Sequence, residues 1–304
     1  MKINVLKAKT LITMALLASL ASCSKDNGNN PSGYSQNTPP AAATGNIRLA
    51  VDSKFGSVLT DKNGRTLYSF AVDAANQSNC NGGCAVTWPV FLADVSSLGA
   101  GLQSSDFGVI TRADNSQQTT YKGWPLYYYS GDVNAGDIKG DGIGKNWFVS
   151  KPDYTVMLAN EQLVGKDGVS YTSAYVPGTE VVQYLTDDHG RTLYSFSKDM
   201  ALTNTYTTTD AVHNAVWPVY EASKIMNVPS TLDKSLFTVI TVFGKSQVTY
   251  KGWPLYSFSA DAGVKGSNKG VSVGPGIWPV QNSTTAAAPA VAGSASGSAA
   301  GSGY

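Results

Sequence analysis

The chain has 304 residues, and its 22 Lys and Arg against 21 Asp and Glu leave a formal net charge of +1. Only 14% of it is charged, against roughly 25% in an average soluble protein. There is no basic excess to neutralise phosphates, which excludes a nucleic-acid binder working through charge, and no heptad run supports a coiled coil.

At the N-terminus, Lys2, Lys7 and Lys9 precede an apolar stretch, Leu11 to Leu20, that is too short to span a bilayer. The stretch ends in Leu20-Ala21-Ser22-Cys23, which resembles a bacterial lipobox. That resemblance implies a signal peptide over 1–22, a diacylglycerol on the Cys23 thiol and an acylated amine. Several acyl chains at about 0.8 kcal/mol per buried CH₂ hold more firmly than one. Ser24-Lys25-Asp26-Asn27 resembles the export context of surface lipoproteins, with the start of a plain polar linker as the other reading. The expected location is the cell envelope, as an outer-membrane lipoprotein, with surface exposure open. Residues 23–45 are Ser, Asn, Gly, Pro and Ala with almost no large apolar side chain, the composition of a flexible tether.

The next 240 residues or so are built on an internal repeat. Each copy obeys Gly-x-x-Leu-Tyr-x-aromatic-x-x-Asp, beginning at Gly64, Gly123, Gly190 and Gly252, and each is followed 15 to 18 residues later by a tryptophan, Trp88, Trp147, Trp217 or Trp278. The first and third copies open Gly-Arg-Thr after a turn signal, whereas the second and fourth open Lys-Gly-Trp-Pro after Tyr121 or Tyr250. The duplicated object is therefore a pair of repeats, A and B, and the pairs lie about 129 residues apart.

Alternation of Leu67, Ser69 and Ala71 against Tyr68, Phe70 and Val72 predicts a strand in each copy. Asn63-Gly64 predicts a tight turn before it, and Pro125 and Pro254 fall where a strand begins. A short helix is expected near Glu221 to Asn227. The predicted fold is all-β: two tandem β modules built from four repeats of about 60 residues, over 46–160 and 170–282. The alternative is a single four-bladed propeller-like ring, which would pair the first repeat with the fourth. Residues 283–304 are Ala, Gly and Ser of low complexity and read as a disordered tail.

The copies Tyr68/Phe70/Asp73, Tyr127/Tyr129/Asp132, Tyr194/Phe196/Asp199 and Tyr256/Phe258/Asp261 resemble the secreted-repeat lipoproteins defined by a Tyr-x-(Phe/Trp/Tyr)-x-x-Asp motif. This is a family of bacterial envelope proteins without an agreed function. The resemblance supports the location and the architecture and supplies no catalytic residues. On the residues themselves, the motif aromatics are expected in the core and the Asp as a cap on the turn that ends the strand. A ligand-facing aromatic row is the alternative.

Other constellations carry less. Cys80 and Cys84, separated by Asn-Gly-Gly, are expected to form a disulfide in an oxidising envelope, with a redox or metal-binding pair as the alternative. The equivalent positions of the second module are Thr209 and His213, so the staple is not required by the fold. Asp132, Asp137 and Asp141 share a Gly-rich loop that could wrap a calcium ion, although their spacing is not that of an EF-hand. His189, His213, Met200 and Met226 offer copper-type ligands without a ligand spacing. No HExxH or phosphate-cradling loop occurs, so neither an enzyme nor a cofactor is expected. The expected function is a lipid-anchored, non-enzymatic binding or structural module, with an envelope protein or a glycan as its partner. The alternative is a redox or metal-handling accessory.

Overall fold

The computed structural model describes residues 46–75 and 77–291. The expected signal peptide, Cys23 and the expected tether lie outside the described residues. The described chain opens with a hairpin of β1 (Ile47–Asp52) and β2 (Gly56–Asp61), in the register Ile47↔Asp61. β3 (Tyr68–Phe70) follows, then the single-turn helix α1 (Gly83–Thr87). Next comes a meander of β4 (Phe107–Thr111), β5 (Gln117–Tyr121) and β6 (Trp124–Pro125), and after it β7 (Trp147–Val149), which pairs back onto β3.

The second module repeats the plan. β8 (Met157–Val164), β9 (Ser170–Tyr171) and β10 (Val181–Thr186) form its first sheet. α2 (Ala211–Asn214) precedes Trp217 as α1 precedes Trp88, and β11 (Phe237–Val242), β12 (Lys245–Tyr250) and β13 (Trp253–Pro254) form its meander. The protein is thus all-β. The described residues form five antiparallel sheets of two or three strands each, and none closes into a ring. The first and fourth repeats do touch, but through a loop rather than a strand: Lys265 Nζ donates to the Asp73 carbonyl at 2.8 Å.

The Leu-Tyr pair of each repeat divides two cores, because successive side chains of an extended segment point to opposite faces. In the first module, Leu67 and Leu126 enter a cluster with Ile47, Leu59 and Phe91, while Tyr68 and Tyr127 enter another with Trp88 and Trp147. The second module repeats this with Leu193 and Leu255 on one side and Tyr194 and Tyr256 on the other. Ala71, Phe148 and Val156 pack into a cluster of second-module residues, so the modules share buried surface.

Four features differ from the sequence-based expectation. The motif strand is short. It is three residues long in the first repeat, and in the other three it reduces to one bridging residue, Tyr127, Tyr194 or Tyr256, paired on both sides. The cause is that the Asp amide turns back at once onto the carbonyl of the motif's second aromatic, as in Asp73 to Phe70 at 3.0 Å. There is no helix over 221–227, since Glu221 bridges Gln247 and Asn227 bridges Tyr154, which holds the segment extended between two neighbours. β8 begins at Met157 and pairs with β10, so it straddles the limit drawn at 160 and starts the second module. Finally, residues 283–291 of the expected disordered tail form a strap. Lys251 Nζ donates to the carbonyls of Ser283 and Thr285, both at 2.8 Å, and Trp253 Nε1 to that of Ala286 at 2.9 Å. Residues 292–304 lie outside the described residues.

Candidate functional site

The motif residues meet across the two repeats of a module. The backbones of Tyr68 and Tyr127 exchange two hydrogen bonds of 2.9 Å. The Tyr68 hydroxyl donates to Asp132 Oδ2, and the Tyr127 hydroxyl donates to Asp73 Oδ2, both at 2.6 Å. The second module repeats the exchange, Tyr194 to Asp261 and Tyr256 to Asp199, both at 2.7 Å. Each Asp keeps its other oxygen for a backbone amide of its own downstream loop: Asn79, Lys139, Thr205 or Lys269. The expected turn cap is present, and the cross-repeat bond is added to it.

The third motif position also has a fixed job. Phe70, Trp147, Trp88 and Tyr129 form one column, with centroid spacings of 4.0, 3.8 and 4.5 Å. Phe196, Trp278, Trp217 and Phe258 form the other, at 4.7, 3.7 and 4.2 Å. Glycines admit the columns. A Cβ on Gly140 would lie 2.8 Å from Trp88 and 2.9 Å from Tyr68, and one on Gly270 would lie 2.7 Å from Trp217 and from Tyr194. Burial pushes all four tyrosine hydroxyls above their ordinary range, and it raises Asp132, Asp199 and Asp261, with the tyrosine bonds pulling the carboxyls back. The twelve motif residues therefore build the core, each motif carboxylate being bonded by a motif tyrosine and a loop amide.

Other expected groups are similarly engaged. Cys80 and Cys84 form a disulfide, with Cα atoms 5.2 Å apart and Cys80 fully buried. It braces α1, which has no side-chain cap, whereas α2 is capped by Asp210 accepting from the Val212 amide. Of the acids in the Gly-rich loop, Asp132 takes Tyr68, Asp137 takes Lys139 and two backbone amides, and Asp141 takes the Val149 amide at 2.9 Å. His213 stacks on Tyr206 at 4.3 Å, and its Nε2 lies 3.0 Å from the Tyr206 carbonyl oxygen. Asp187, Asp188 and His189 bring ligand atoms within 4.8 Å of one another. Asp187, however, is held by Arg191 and two amides, and Asp188 by Lys122 at 2.6 Å.

Two buried groups escaped the sequence reading. Gln118 and Gln247, at matching positions, each donate to the carbonyl of their module's motif Leu, at 2.8 and 2.9 Å. Arg112 is buried and donates to Ser78, Gln118, the Cys80 carbonyl and Asn81. Their recurrence or contrast between modules, Gln with Gln but Arg112 with Val242, was the available signal.

An open cleft of about 390 Å³ lies in the second module. Its lining includes Asp187, Arg191, Tyr220, Glu221, Ser257 and Ser259. It combines an aromatic wall, a guanidinium, carboxylates and hydroxyls, the mixture of apolar surface and a few placed polar groups that small-molecule sites use.

Three segments of the chain, 49–91, 108–151 and 237–280, match a family described as a secreted repeat of unknown function. They carry the first, second and fourth motif copies. The third lies outside the matched segments, yet Tyr194 and Asp199 hold the same positions as their counterparts. No curated protein and no solved structure matches the chain.

Proposed function

We propose that the protein is a non-enzymatic binding module, held at the outer membrane by acyl chains on Cys23 and displayed on the 23–45 tether. The observation that carries the binding reading is the division of labour among its polar groups. The motif carboxylates and hydroxyls satisfy one another, Asp261 doing so at the edge of an open cleft, while Asp187, Arg191, Glu221 and Ser257 supply the other polar groups of that cleft's lining. The family's secreted character agrees with an envelope location. No helix among the described residues is long and apolar enough to cross a membrane, and in this reading the attachment falls to the lipid. Replacing Cys23 by Ala tests it. The variant is expected in the soluble fraction after detergent-free lysis, and continued membrane association would reject the anchor. Protease shaving of whole cells then reports which side the module faces.

A further inference from the structure

The cleft of the second module occupies the place where the first module keeps a tyrosine. In the first module Tyr128 follows the motif Tyr127. Its hydroxyl donates to Asp61 Oδ2 at 3.0 Å, the Arg65 guanidinium lies 4.0 Å over its ring, and its edge meets Phe91 at 5.5 Å. Asp61 Oδ1 meanwhile accepts the amides of Asn63 and Arg65.

The second module reproduces every wall of that socket. Asp187 stands for Asp61, its Oδ1 accepting the amides of His189 and Arg191, both at 2.9 Å. Arg191 stands for Arg65 and Tyr220 for Phe91. The backbone at the missing ring is also the same, for the Tyr128 amide donates to Pro89 and the Ser257 amide to Pro218, at 2.8 and 2.9 Å. Only the ring is absent, because position 257 is Ser. With no hydroxyl to accept, Asp187 Oδ2 takes the Nε of its own Arg191, whose side chain is 49% exposed and borders the cleft.

We infer that this cleft binds a phenolic ring supplied from outside, with its hydroxyl donating to Asp187 and Arg191 swung over its face as Arg65 lies over Tyr128. The ring could be a small free phenol or the tyrosine side chain of a partner protein, since both present the same group. The inference rests on the proposed binding role and names its ligand class. It needs no covalent step. A cation over a ring and a carboxylate-bound hydroxyl are each modest interactions, so a single-ring probe should bind in the millimolar range.

The test is a titration of the full chain with p-cresol, followed by amide and side-chain chemical shifts. Saturable shifts are expected at Arg191, Tyr220 and Ser257, with at least tenfold weaker effects from toluene, which has the ring without the hydroxyl. Ser257→Tyr should restore the first module's arrangement, raise the melting temperature and abolish the p-cresol shifts. Should that variant misfold, the p-cresol against toluene contrast on the unaltered chain still decides. N-acetyl-tyrosinamide separates the sources: binding at least as tight as p-cresol indicates a protein side chain, and exclusion indicates a free phenol. Equal shifts from toluene, unchanged shifts in a folded Ser257→Tyr variant, or saturable shifts from N-acetylglucosamine with none from p-cresol would overturn the inference. The titration is independent of the lipid, so its failure is distinct from a failure of the Cys23→Ala fractionation.

Discussion

At the motif tyrosines of the two A repeats, one hydroxyl serves two groups. Tyr68 donates to Asp132 and also accepts the Gly140 amide at 3.2 Å, and Tyr194 does the same between Asp261 and the Gly270 amide. Removing the oxygen strands a buried carboxylate and a buried amide together, which costs more than losing a bond whose partners can turn to water. Tyr68→Phe and Tyr194→Phe should therefore each cost about 1–3 kcal/mol in urea unfolding. Asp132→Asn keeps an acceptor in place and should cost less than Tyr68→Phe. A loss below about 0.5 kcal/mol for both phenylalanine variants, the range of ordinary surface changes, would show that the exchange is ornamental. The motif residues themselves were plain in the sequence, because they recur at fixed spacing. Their pairing was not. Each bond joins residues 54 to 67 positions apart, and only the backbone exchange between the two repeats selects Asp132 rather than the nearer Asp73 for Tyr68. The cleft was legible in principle, as a Ser where the paired repeat has a Tyr, but a lone Ser carries no signal until its neighbours are known to form a socket.

Among the elements, the strap over 283–291 is the one composition concealed. Its Ala, Thr and Pro side chains predict nothing, since the binding groups are its carbonyls. What gives it meaning is the equivalent place in the first module. There Lys122 Nζ donates to the Pro152 carbonyl at 3.0 Å and Trp124 Nε1 to the Asp188 carbonyl at 3.1 Å, so the Lys-Gly-Trp turn is covered by the segment leading into β8 and by the second module's A-repeat turn. In the second module no further module follows among the described residues, and the strap supplies the carbonyls instead. The Pro289 carbonyl also accepts the Ala201 amide at 2.8 Å, and the Ala288 amide donates to Lys251 at 2.9 Å. The strap thus acts as an end cap, the element that a stacked repeat needs on its last exposed face. Ending the chain after Asn282 should lower the melting temperature by a few degrees, corresponding to about 1–2 kcal/mol, and speed exchange of the Trp253 indole proton. A chain ending after Val291 is the control. Equal exchange rates in the two would mean that the strap does not hold the indole.

The whole molecule turns on how its modules are joined, and the junction centres on a buried amine. Lys265 leaves the fourth repeat and donates to the carbonyls of Asp73 and Gly123, at 2.8 and 2.9 Å, with its Nζ 3.5 Å from the centroid of the Trp124 ring. The charged groups facing it are Asp73 and Glu161, and Glu161 also accepts the Tyr184 hydroxyl at 2.5 Å. Burial pushes Lys265 down to about 7, against the pull of the two carboxylates, while Asp73 is pushed up to about 6, again chiefly by burial. The sign follows from proton counting. Above pH 7 the folded amine gives up its proton while the unfolded one keeps it to about 10.5, so the unfolded chain binds more protons and stability rises with pH. For Asp73 the folded carboxyl holds its proton longer than the unfolded one, so stability falls as pH rises from about 4 to 6. Buried tyrosines limit the alkaline side, because their unfolded counterparts ionise first, near 10.0. The unfolding free energy should therefore dip near neutrality and climb between about pH 7 and 9.5, by at most about 1.4 kcal/mol per pH unit from this one group. Lys265→Met removes the amine but keeps most of the volume, and should flatten the alkaline climb in urea titrations across that range. An undiminished climb in the variant would assign it to another group and remove Lys265 as the proton-sensitive pin between the modules.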